Sequence, residues 1–458
     1  MRVTVIGAGP GGYEAALYAA KQGLEVTLVE KGKLGGTCLN RGCIPTKALL
    51  AVSDNLTAIR EAGQFGITVP EGVTPDFSAA FARKDQVVST LNGGVGYLMS
   101  ANQVRVVEGT GVIKDAGHVE VALNAGGTET IETDKIIVAT GSVPAVPAAF
   151  GYDGEKVITS DELLSLEKQP ASLVIIGGGV IGCEIAQFMA RMGTAVTILE
   201  MMPHILPNED RDTVKPLEKQ FRKDKIKVSC GKGVEKVEKT EGGVKVTLAD
   251  GSEYEAELCL VSIGRRPVTK DIGLENAGVE LNERGYITIN EYTQTSHPDI
   301  YAIGDVVPTI QLAHVASYEA FVAVDHICGR PRPTDFRAVP RCIYTSPEVA
   351  GVGITEAEAE AKGISLNSGR FDMMALGKAK AAGHTEGFVK ILTDENDVIV
   401  GGTVVGSHAT ELLEAITLAV HFKLTAKQLG ESIFPHPTMG EAILEAVHDV
   451  HHMSVHKG

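Results

Sequence analysis

Two stretches of the chain repeat one pattern of apolar and polar positions. In each, a run rich in β-branched residues leads into a glycine cluster, a helical pattern, and a second apolar run that closes on a glutamate. These segments are 3–6, 13–22 and 26–29 in the first copy, and 173–176, a helix up to 192, and 195–199 in the second. The first glycine and the acid are equally far apart in both copies, from Gly7 to Glu30 and from Gly177 to Glu200. The repeat predicts two units of strand, turn, helix and strand.

The glycines of both turns are those that a dinucleotide-binding unit requires. Gly7 makes the turn, Gly9 lets a pyrophosphate approach the backbone, and Gly12 lets the helix pack closely on the strand. The equivalent positions in the second copy are Gly177, Gly179 and Gly182. The helix N-terminus faces the phosphates in such a unit. We therefore expect two dinucleotides.

The two acids define the nucleotides further. Glu30 can bond a ribose diol in the first unit. In the second, Glu200 would accept a hydrogen bond from a ribose 2′-OH and repel a 2′-phosphate, which favours NAD over NADP. The alternative for Glu200 is an exposed acid that only ends a strand.

The rest of the pattern predicts a mixed fold. A mostly helical region runs to 102, and strand-like runs follow at 104–108, 118–123, 128–132, 135–140, 244–248, 257–263 and 300–303. A helix is expected up to 327, and the proline- and arginine-rich segment 331–340 is typical of a linker. Strands at 349–352, 388–392 and 398–405 and helices at 411–422 and 439–447 complete the chain. The prediction is α/β, with two Rossmann-like dinucleotide-binding domains and an α+β C-terminal domain.

Composition and charge exclude several functions. The 458 residues carry a net charge of −16, which argues against binding to a nucleic acid or to an anionic membrane surface. No apolar run approaches the ~20 residues that span a bilayer. Seven cysteines spread over a long chain favour a reducing compartment, so we expect a cytoplasmic protein.

Two of the cysteines, Cys38 and Cys43, lie in the segment GGTCLNRGCIPTKALL. A disulfide needs its Cα atoms within about 4.4–6.8 Å, closer than a regular helix brings positions so spaced. Gly42 and Pro45 suit a distorted turn that feeds a helix from near Pro45 through Leu50. Two interpretations stay open: two reduced, buried cysteines, or a dithiol that cycles through a disulfide.

Other candidate residues lie further along the chain. Asp305 follows a strand and could bond a cofactor hydroxyl, although a turn-forming aspartate is the alternative. His436 lies between two prolines, and Glu441 can reach its imidazole across the first turn of a helix. The alternative there is a surface histidine at a helix start. A frayed, solvated end is expected for the last histidines, and no metal site is predicted: His451, His452 and His456.

These motifs occur together in an order that resembles a known family. They are GxGxxG with Glu30, GGTCLNRGCIPTK, ATGSVP, IGGGVIGCE, IGRRP, YAIGDV, YTSPEVAGVGITEAEA and HPTMGE, and they cover essentially the whole chain. The order resembles that of the flavin disulfide reductases. Within this family the chain is most similar to the dihydrolipoamide dehydrogenases. LAH at 312–314 with Glu319, and Glu200 in place of arginine, favour them over the NADPH-using glutathione reductases.

The resemblance implies oxidation of protein-bound dihydrolipoamide by NAD⁺ through FAD. It divides the chain into an FAD-binding domain (1–145, continued at 268–335), an NAD-binding domain (146–267) and a dimerisation domain (336–458). A symmetric homodimer is expected. The expected partner is a lipoyl-carrying protein of a 2-oxo acid dehydrogenase or glycine cleavage system, in a separate chain.

The resemblance also implies roles at the flavin. Cys38 would exchange with dihydrolipoamide, and Cys43 would lie against the flavin. Lys47, paired with Glu184, would sit beside the reactive flavin nitrogen, and Asp305 would hold the ribityl chain. Further positions expected to line the cofactors are Gly36, Thr37, Gly111, Thr140, Gly141, Gly264 and Ala313.

The acid–base group implied by the resemblance is His436, oriented by Glu441 and given by the partner subunit. Arg41, Thr46 and Phe434-Pro435 depart from the usual family pattern, which bears on substrate preference. Alternatives are a sister disulfide or metal reductase that uses NADH, a flavoprotein subunit without turnover, and a transhydrogenase relative. The last needs no cysteine pair, so the pair counts against it.

Overall fold

The first repeated unit lies at the centre of a seven-stranded sheet in the computed structural model, which describes residues 1–457. The elements up to residue 144 are β1 (Arg2–Ile6), α1 (Pro10–Lys21), β2 (Glu25–Glu30), α2 (Gly36–Arg41), α3 (Cys43–Glu61), α4 (Phe77–Ala101), β3 (Arg105–Asp115), β4 (His118–Leu123), β5 (Thr128–Glu132), β6 (Lys135–Val138) and β7 (Ser142–Pro144). Strands β6, β1, β2 and β3 pair in parallel, as expected for strands joined by crossover helices. Strands β4 and β5 extend this sheet as an antiparallel meander.

The second unit forms a separate parallel sheet. Its elements are β8 (Val157–Ile158), α5 (Ser160–Leu163), β9 (Ser172–Ile176), α6 (Val180–Met192), β10 (Ala195–Glu200), α7 (Arg211–Lys223), β11 (Lys227–Cys230), β12 (Val234–Thr240), β13 (Gly243–Leu248), β14 (Glu253–Ala256), β15 (Leu258–Val261) and β16 (Arg265–Pro267). The strand order is β11-β10-β9-β15-β8. Strands β12 to β14 form a small antiparallel sheet, and β16 pairs with β7 where the chain crosses between the two large sheets.

The chain then returns to the first sheet. Strand β17 (Ile300–Ala302) adds beside β6, and α8 (Ala313–Ile327) packs on α1. The resulting order, β17-β6-β1-β2-β3, matches β8-β15-β9-β10-β11 strand for strand. The close α1–α8 contact uses small buried residues: Ala15, Ala16, Ala19, Ala320 and Ala323. The sequence repeat is therefore also a repeat of topology, and the predicted α/β fold class is confirmed.

The C-terminal region forms an antiparallel sheet with helices. Its elements are β18 (Arg341–Ile343), β19 (Glu348–Gly353), α9 (Glu356–Lys362), β20 (Asn367–Asp372), α10 (Gly377–Ala382), β21 (Phe388–Thr393), β22 (Ile399–Gly406), α11 (Ala409–His421), α12 (Ala426–Gly430) and α13 (Glu441–Asp449). Side chains alternate between its faces. Ala350 and Val404 pack on α11 and α13, whereas Val349 and Val405 pack with Phe188 of α6. The second face thus brings β18 and β19 up to the second nucleotide unit.

Two sequence expectations are corrected by the structure. The helix expected near Pro45 begins at Cys43 and continues to Glu61, and Cys38 lies in the short helix α2 rather than in an irregular turn. The trailing end is also not simply frayed. His451 Nε2 lies 3.1 Å from Asp397 Oδ1, and the His456 ring bonds Glu445, because acidic residues line the path of the tail. Within residues 1–457, no helix has the length and apolar character needed to cross a membrane.

Candidate active site

The first glycine turn leaves an open cradle beside its middle glycine. Gly7 has φ +102°, and a Cβ at Gly7 or at Gly12 would collide with backbone atoms, so both positions require glycine. A Cβ at Gly9 would meet nothing within 4 Å. The start of α1 carries no side-chain cap, which leaves backbone N–H groups directed at that space. This geometry fits the pyrophosphate of a dinucleotide.

The second turn repeats these features. Gly177 has φ +108°, a Cβ at Gly182 would collide with the Gly177 carbonyl, and Gly179 faces open space. The start of α6 likewise lacks a side-chain cap. The residues fit a second dinucleotide at this turn.

The acids of both units hold their turns in the same way. Glu30 accepts the N–H of Ala8 at 2.6 Å and that of Gly32 at 2.7 Å. Glu200 accepts the N–H of Gly178 at 2.6 Å and that of Met202 at 2.7 Å. Each carboxylate is therefore fixed at the edge of its cradle, where a ribose would lie.

The cysteine segment packs directly against the first cradle. Gly35 donates its N–H to the Ala8 carbonyl at 2.8 Å, and Gly36, with φ +56°, lies so close to Gly9 that a Cβ would stand 2.5 Å from its Cα. Thr37 follows in the first turn of α2. Gly42 then breaks the helix at φ −147° and ψ −112°. This break agrees with the expectation that the backbone between Cys38 and Cys43 is not regular helix.

Both cysteines are free thiols, and they differ in electrostatic character. The hydrogen bond from the Cys38 thiol lowers the pKa of Cys43 to about 7, and the positive charge of Lys47 acts in the same direction. The same hydrogen bond, together with burial, raises the pKa of Cys38 above its usual value. The pair therefore begins to lose its first proton near neutral pH, and the thiolate forms at Cys43 rather than at Cys38.

The Lys47–Glu184 pair expected from the sequence is present. Lys47 Nζ, from α3, lies 3.0 and 2.8 Å from the two carboxylate oxygens of Glu184, from α6. The Glu184 side chain is only 3% exposed. Because Lys47 follows the cysteines and Glu184 follows the second glycine turn, this ion pair joins the redox segment to the second unit.

A third group of predicted residues meets at the β7–β16 crossing. Asp305 accepts a hydrogen bond from Ser142 Oγ at 2.5 Å, and Arg265 donates to the same hydroxyl at 2.7 Å. Thr140 and Gly141 immediately precede β7, and Thr140 bonds the Val268 carbonyl at 2.6 Å. The sequence reasoning missed Arg265 and Ser142, although they lie in the IGRRP and ATGSVP motifs.

The remaining cofactor candidates are more dispersed. Ala313 begins α8, close in sequence to Asp305. Gly264, with φ +131°, borders the crossing, and its carbonyl accepts the N–H of Ala145. Gly111 lies inside β3, where a Cβ would touch Val29 and Ile6.

His436 and Glu441 form a pair apart from the cysteines. His436 Nδ1 lies 2.8 Å from Glu441 Oε1, and Glu441 Oε2 accepts the Thr438 N–H at 2.9 Å. Partial burial opposes ionisation, but the hydrogen bonds from His436 and Thr438 hold the pKa of Glu441 below its usual value. The imidazole is 78% exposed, and in the part of the chain that the structure describes no hydrogen bond or ion pair links it to Cys38 or Cys43.

Comparisons with known proteins agree with this architecture. Residues 1–320 match the sequence model of the family described as pyridine nucleotide-disulphide oxidoreductase, and residues 339–447 match its dimerisation domain. The chain is 42% identical to a dihydrolipoyl dehydrogenase of Bacillus subtilis, covering 97% of this chain and 96% of the relative. It is 39% identical to a dihydrolipoyl dehydrogenase of Haloferax volcanii, covering 99% and 96%.

Solved structures are similar over the whole chain. LpdA of Mycobacterium tuberculosis has a TM-score of 0.92 at 29% identity, covering 98% of this chain and 99% of that one. The HOCl-induced flavoprotein disulfide reductase RclA of Escherichia coli has a TM-score of 0.87 at 28% identity, covering 98% and 99%. The chain belongs to the pyridine nucleotide-disulphide oxidoreductase family and carries its dimerisation domain.

Proposed function

We propose that this protein is a dihydrolipoyl dehydrogenase, which oxidises dihydrolipoamide on a lipoyl-carrying protein and reduces NAD⁺. Its relatives of that name cover nearly the full chain, and its cofactors are FAD and NAD. One observation carries the proposal. The Cys38–Cys43 segment packs on the first cradle at Gly9. Lys47 links this segment to Glu184, which lies on the helix that follows the second cradle.

The cofactor sites follow from the two cradles. We assign FAD to residues 1–145 and 268–335, held by the Gly7 turn, Glu30 and Asp305. We assign NAD to residues 146–267, held by the Gly177 turn and Glu200. FAD bound there would supply the two-electron chemistry that connects the dithiol with NAD⁺. The protein positions the sulfurs and manages the protons.

Sulfur exchange begins from the Cys38–Cys43 disulfide. A dihydrolipoamide thiol gives its proton to His436 and attacks Cys38, because only a thiolate attacks sulfur readily. The Cys38–Cys43 bond breaks, a mixed disulfide forms at Cys38, and Cys43 leaves as a thiolate. The second substrate thiol then attacks the substrate sulfur of the mixed disulfide, and its proton passes to Cys38. Lipoamide leaves with both of its sulfurs bonded.

The lowered pKa of Cys43 supports the different roles of the two cysteines. A sulfur that ionises near neutral pH is a good leaving group, and it remains a thiolate after the exchange. The raised pKa of Cys38 suits a sulfur that ends the exchange as a thiol. Lys47 stabilises the charge on Cys43 without being part of the exchange.

The proton acceptor requires a second subunit. Glu441 accepts from Nδ1 of His436, which leaves the lone pair of Nε2 free to take a proton. The exposed imidazole can serve the cysteines of another copy of the chain. We therefore propose a homodimer formed by residues 336–458, in which each active site uses the partner subunit's His436.

An assay of the purified protein tests the function. Turnover of dihydrolipoamide with NAD⁺, and little turnover of oxidised glutathione with NADPH, is the expected result. A sister disulfide reductase is the second candidate, because the fold also matches RclA. Reduction of other acceptors by NADH without dihydrolipoamide turnover would favour that candidate. A protein that holds FAD yet is not reduced by dihydrolipoamide would be a subunit without turnover.

A further inference from the structure

Tyr344, immediately after β18, touches both members of the Lys47–Glu184 pair. Its backbone N–H donates to Glu184 Oε1 at 2.9 Å. Its ring lies under the ammonium, with Lys47 Nζ 4.4 Å from the ring centroid. Tyr344 thus holds Glu184 through its main chain and Lys47 through its side chain.

The ring contact supplies a restraint that the ion pair lacks. Lysine has a long, flexible side chain, and ordering it costs conformational entropy. The Lys47 side chain is 30% exposed, so Glu184 alone leaves part of it open to other positions. An ammonium over an aromatic face is attracted by the ring quadrupole, and the attraction strengthens as the ammonium is desolvated. The Tyr344 ring therefore narrows the space that the ammonium occupies.

The position of that ammonium matters to the flavin-side cysteine. The charged or titratable groups facing Cys43 are Cys38 from α2, Lys47 from α3, Glu184 from α6 and Arg265 from β16. Of these, Lys47 is the flexible cation, and its charge favours the Cys43 thiolate. Burial raises the pKa of Tyr344 to about 12, so the ring is neutral at working pH.

We propose that Tyr344 is a positioning residue for the active thiolate: its ring and its N–H hold the Lys47–Glu184 pair, so that the ammonium keeps its place one helical turn from Cys43 on α3. This inference rests on the proposed function, since it assigns Cys43 the role of the flavin-side thiolate. It also gives the C-terminal region a second task in the active site, in the same subunit and separate from that of His436.

Two substitutions separate the ring from the main chain. Tyr344→Leu keeps the N–H bond to Glu184 and an apolar side chain but removes the aromatic face. Tyr344→Phe keeps the face and removes only the hydroxyl. The holoenzyme is reduced with dithiothreitol without oxygen, and the Cys43 thiolate is titrated by its ultraviolet absorbance and by its rate of alkylation, with the modified residue identified by mass spectrometry.

The expected result is a change in the Cys43 titration midpoint only when the aromatic ring is lost. The midpoint of the Cys43 titration rises by about half a pH unit in Tyr344→Leu, because a less restrained ammonium stabilises the thiolate less. Tyr344→Phe titrates like the unsubstituted enzyme. An unchanged midpoint in the leucine variant, or an equal shift in both variants, overturns the proposal.

A graded series keeps the test decisive if the leucine variant fails to fold. Phenylalanine carrying one, two or three ring fluorines is incorporated at position 344, which weakens the face stepwise with little change in shape. The Cys43 midpoint should rise with each fluorine, and a flat series overturns the proposal. Neither titration uses a lipoyl substrate or NAD⁺. Failure of the proposed function would therefore appear in the turnover assay and not here.

Discussion

His436 presents its Nε2 edge outward while Glu441 holds Nδ1 at 2.8 Å. If this imidazole takes the proton of dihydrolipoamide, His436→Gln should lower dihydrolipoamide–NAD⁺ turnover by about 10²–10⁴-fold, the usual contribution of a positioned base. Oxidation of NADH by an artificial electron acceptor should survive, because that reaction does not need the sulfur exchange. Steady-state assays of both activities check the prediction.

His451→Gln is the matched control for that substitution. His451 is also paired with a carboxylate, Asp397, at 3.1 Å, but it lies in the C-terminal tail. This variant should keep both activities. Equal loss of the two activities in His436→Gln would contradict the assigned role.

The equivalent acids Glu30 and Glu200 allow the cofactor of each cradle to be tested independently. Each accepts two backbone N–H groups, so a glutamine loses the charge that strengthens those bonds and the bond to a ribose. Glu200→Gln should raise the KM for NAD⁺ by roughly tenfold or more, with FAD retained. It should also reduce the preference of the enzyme for NAD⁺ over NADP⁺. Glu30→Gln should instead weaken FAD retention. The opposite pattern of losses would reverse the assignment of the cradles.

Local patterns made both cradles predictable. Gly7, Gly12 and Glu30 lie within one short stretch of chain, so their spacing alone predicts the geometry of the first cradle. The start of α3 at Cys43 was harder to predict, because Pro45 marks a first helical turn without fixing its first residue. Gly42, which allows the break, was the correct signal.

Contacts between residues far apart in the sequence were harder to predict. Tyr344 meets Lys47 and Glu184 only because the C-terminal sheet buries one face against the second unit, and no spacing in the sequence encodes that contact. The sequence singled out His436 with Glu441, but only the resemblance gave it a role toward the cysteines. Within one chain it is far in sequence from both cysteines and shares no bond with them in residues 1–457.

A buried carboxyl beneath Asp305 predicts a pH effect. Glu319 is fully buried, and its Oε2 accepts the Gly304 N–H at 2.6 Å. Burial raises the pKa of Glu319 to about 7, from 4.5 in an unfolded chain. The folded state therefore holds a proton that the unfolded state has released between these values, so stability falls as pH rises through this window.

Glu319→Gln should remove this dependence. The gap between the two pKa values corresponds to about 3 kcal/mol, so the variant should gain up to that amount relative to the unsubstituted protein between about pH 5 and pH 8. Denaturant unfolding at a series of pH values measures it. Glu14→Gln is the control and should leave the profile unchanged, because Glu14 is a partly exposed acid of α1 that accepts a hydrogen bond from Ser317 of α8. A difference for Glu319→Gln that is constant with pH would rule out this carboxyl as the source.

Lys390 joins the second unit to the C-terminal sheet through an ionic cluster in which Lys390 and Asp210 are buried and Glu356 is exposed. Its side chain is 3% exposed, and Nζ lies 3.2 Å from Asp210, 3.0 Å from Asp212 and 2.5 Å from Glu356. Lys390→Met leaves three carboxylates facing one another, with only Arg370 among residues 1–457 still paired to one of them, Asp212, at 3.1 Å. The free energy of unfolding should fall by about 3 kcal/mol, the usual cost of removing one partner of a buried ion pair.

The same substitution should create sensitivity to divalent cations. Oxygen atoms of the three carboxylates lie within 4.8 Å of one another, a spacing that hard cations such as Ca²⁺ accept. Added Ca²⁺ should raise the Tm of Lys390→Met and not that of the unsubstituted protein, in which the ammonium occupies the position. Lys245→Met, which breaks a surface pair with Glu253, should leave stability nearly unchanged and show no calcium effect. If both variants lose the same stability, or if Ca²⁺ raises the two Tm values equally, the cluster does not join these domains as described.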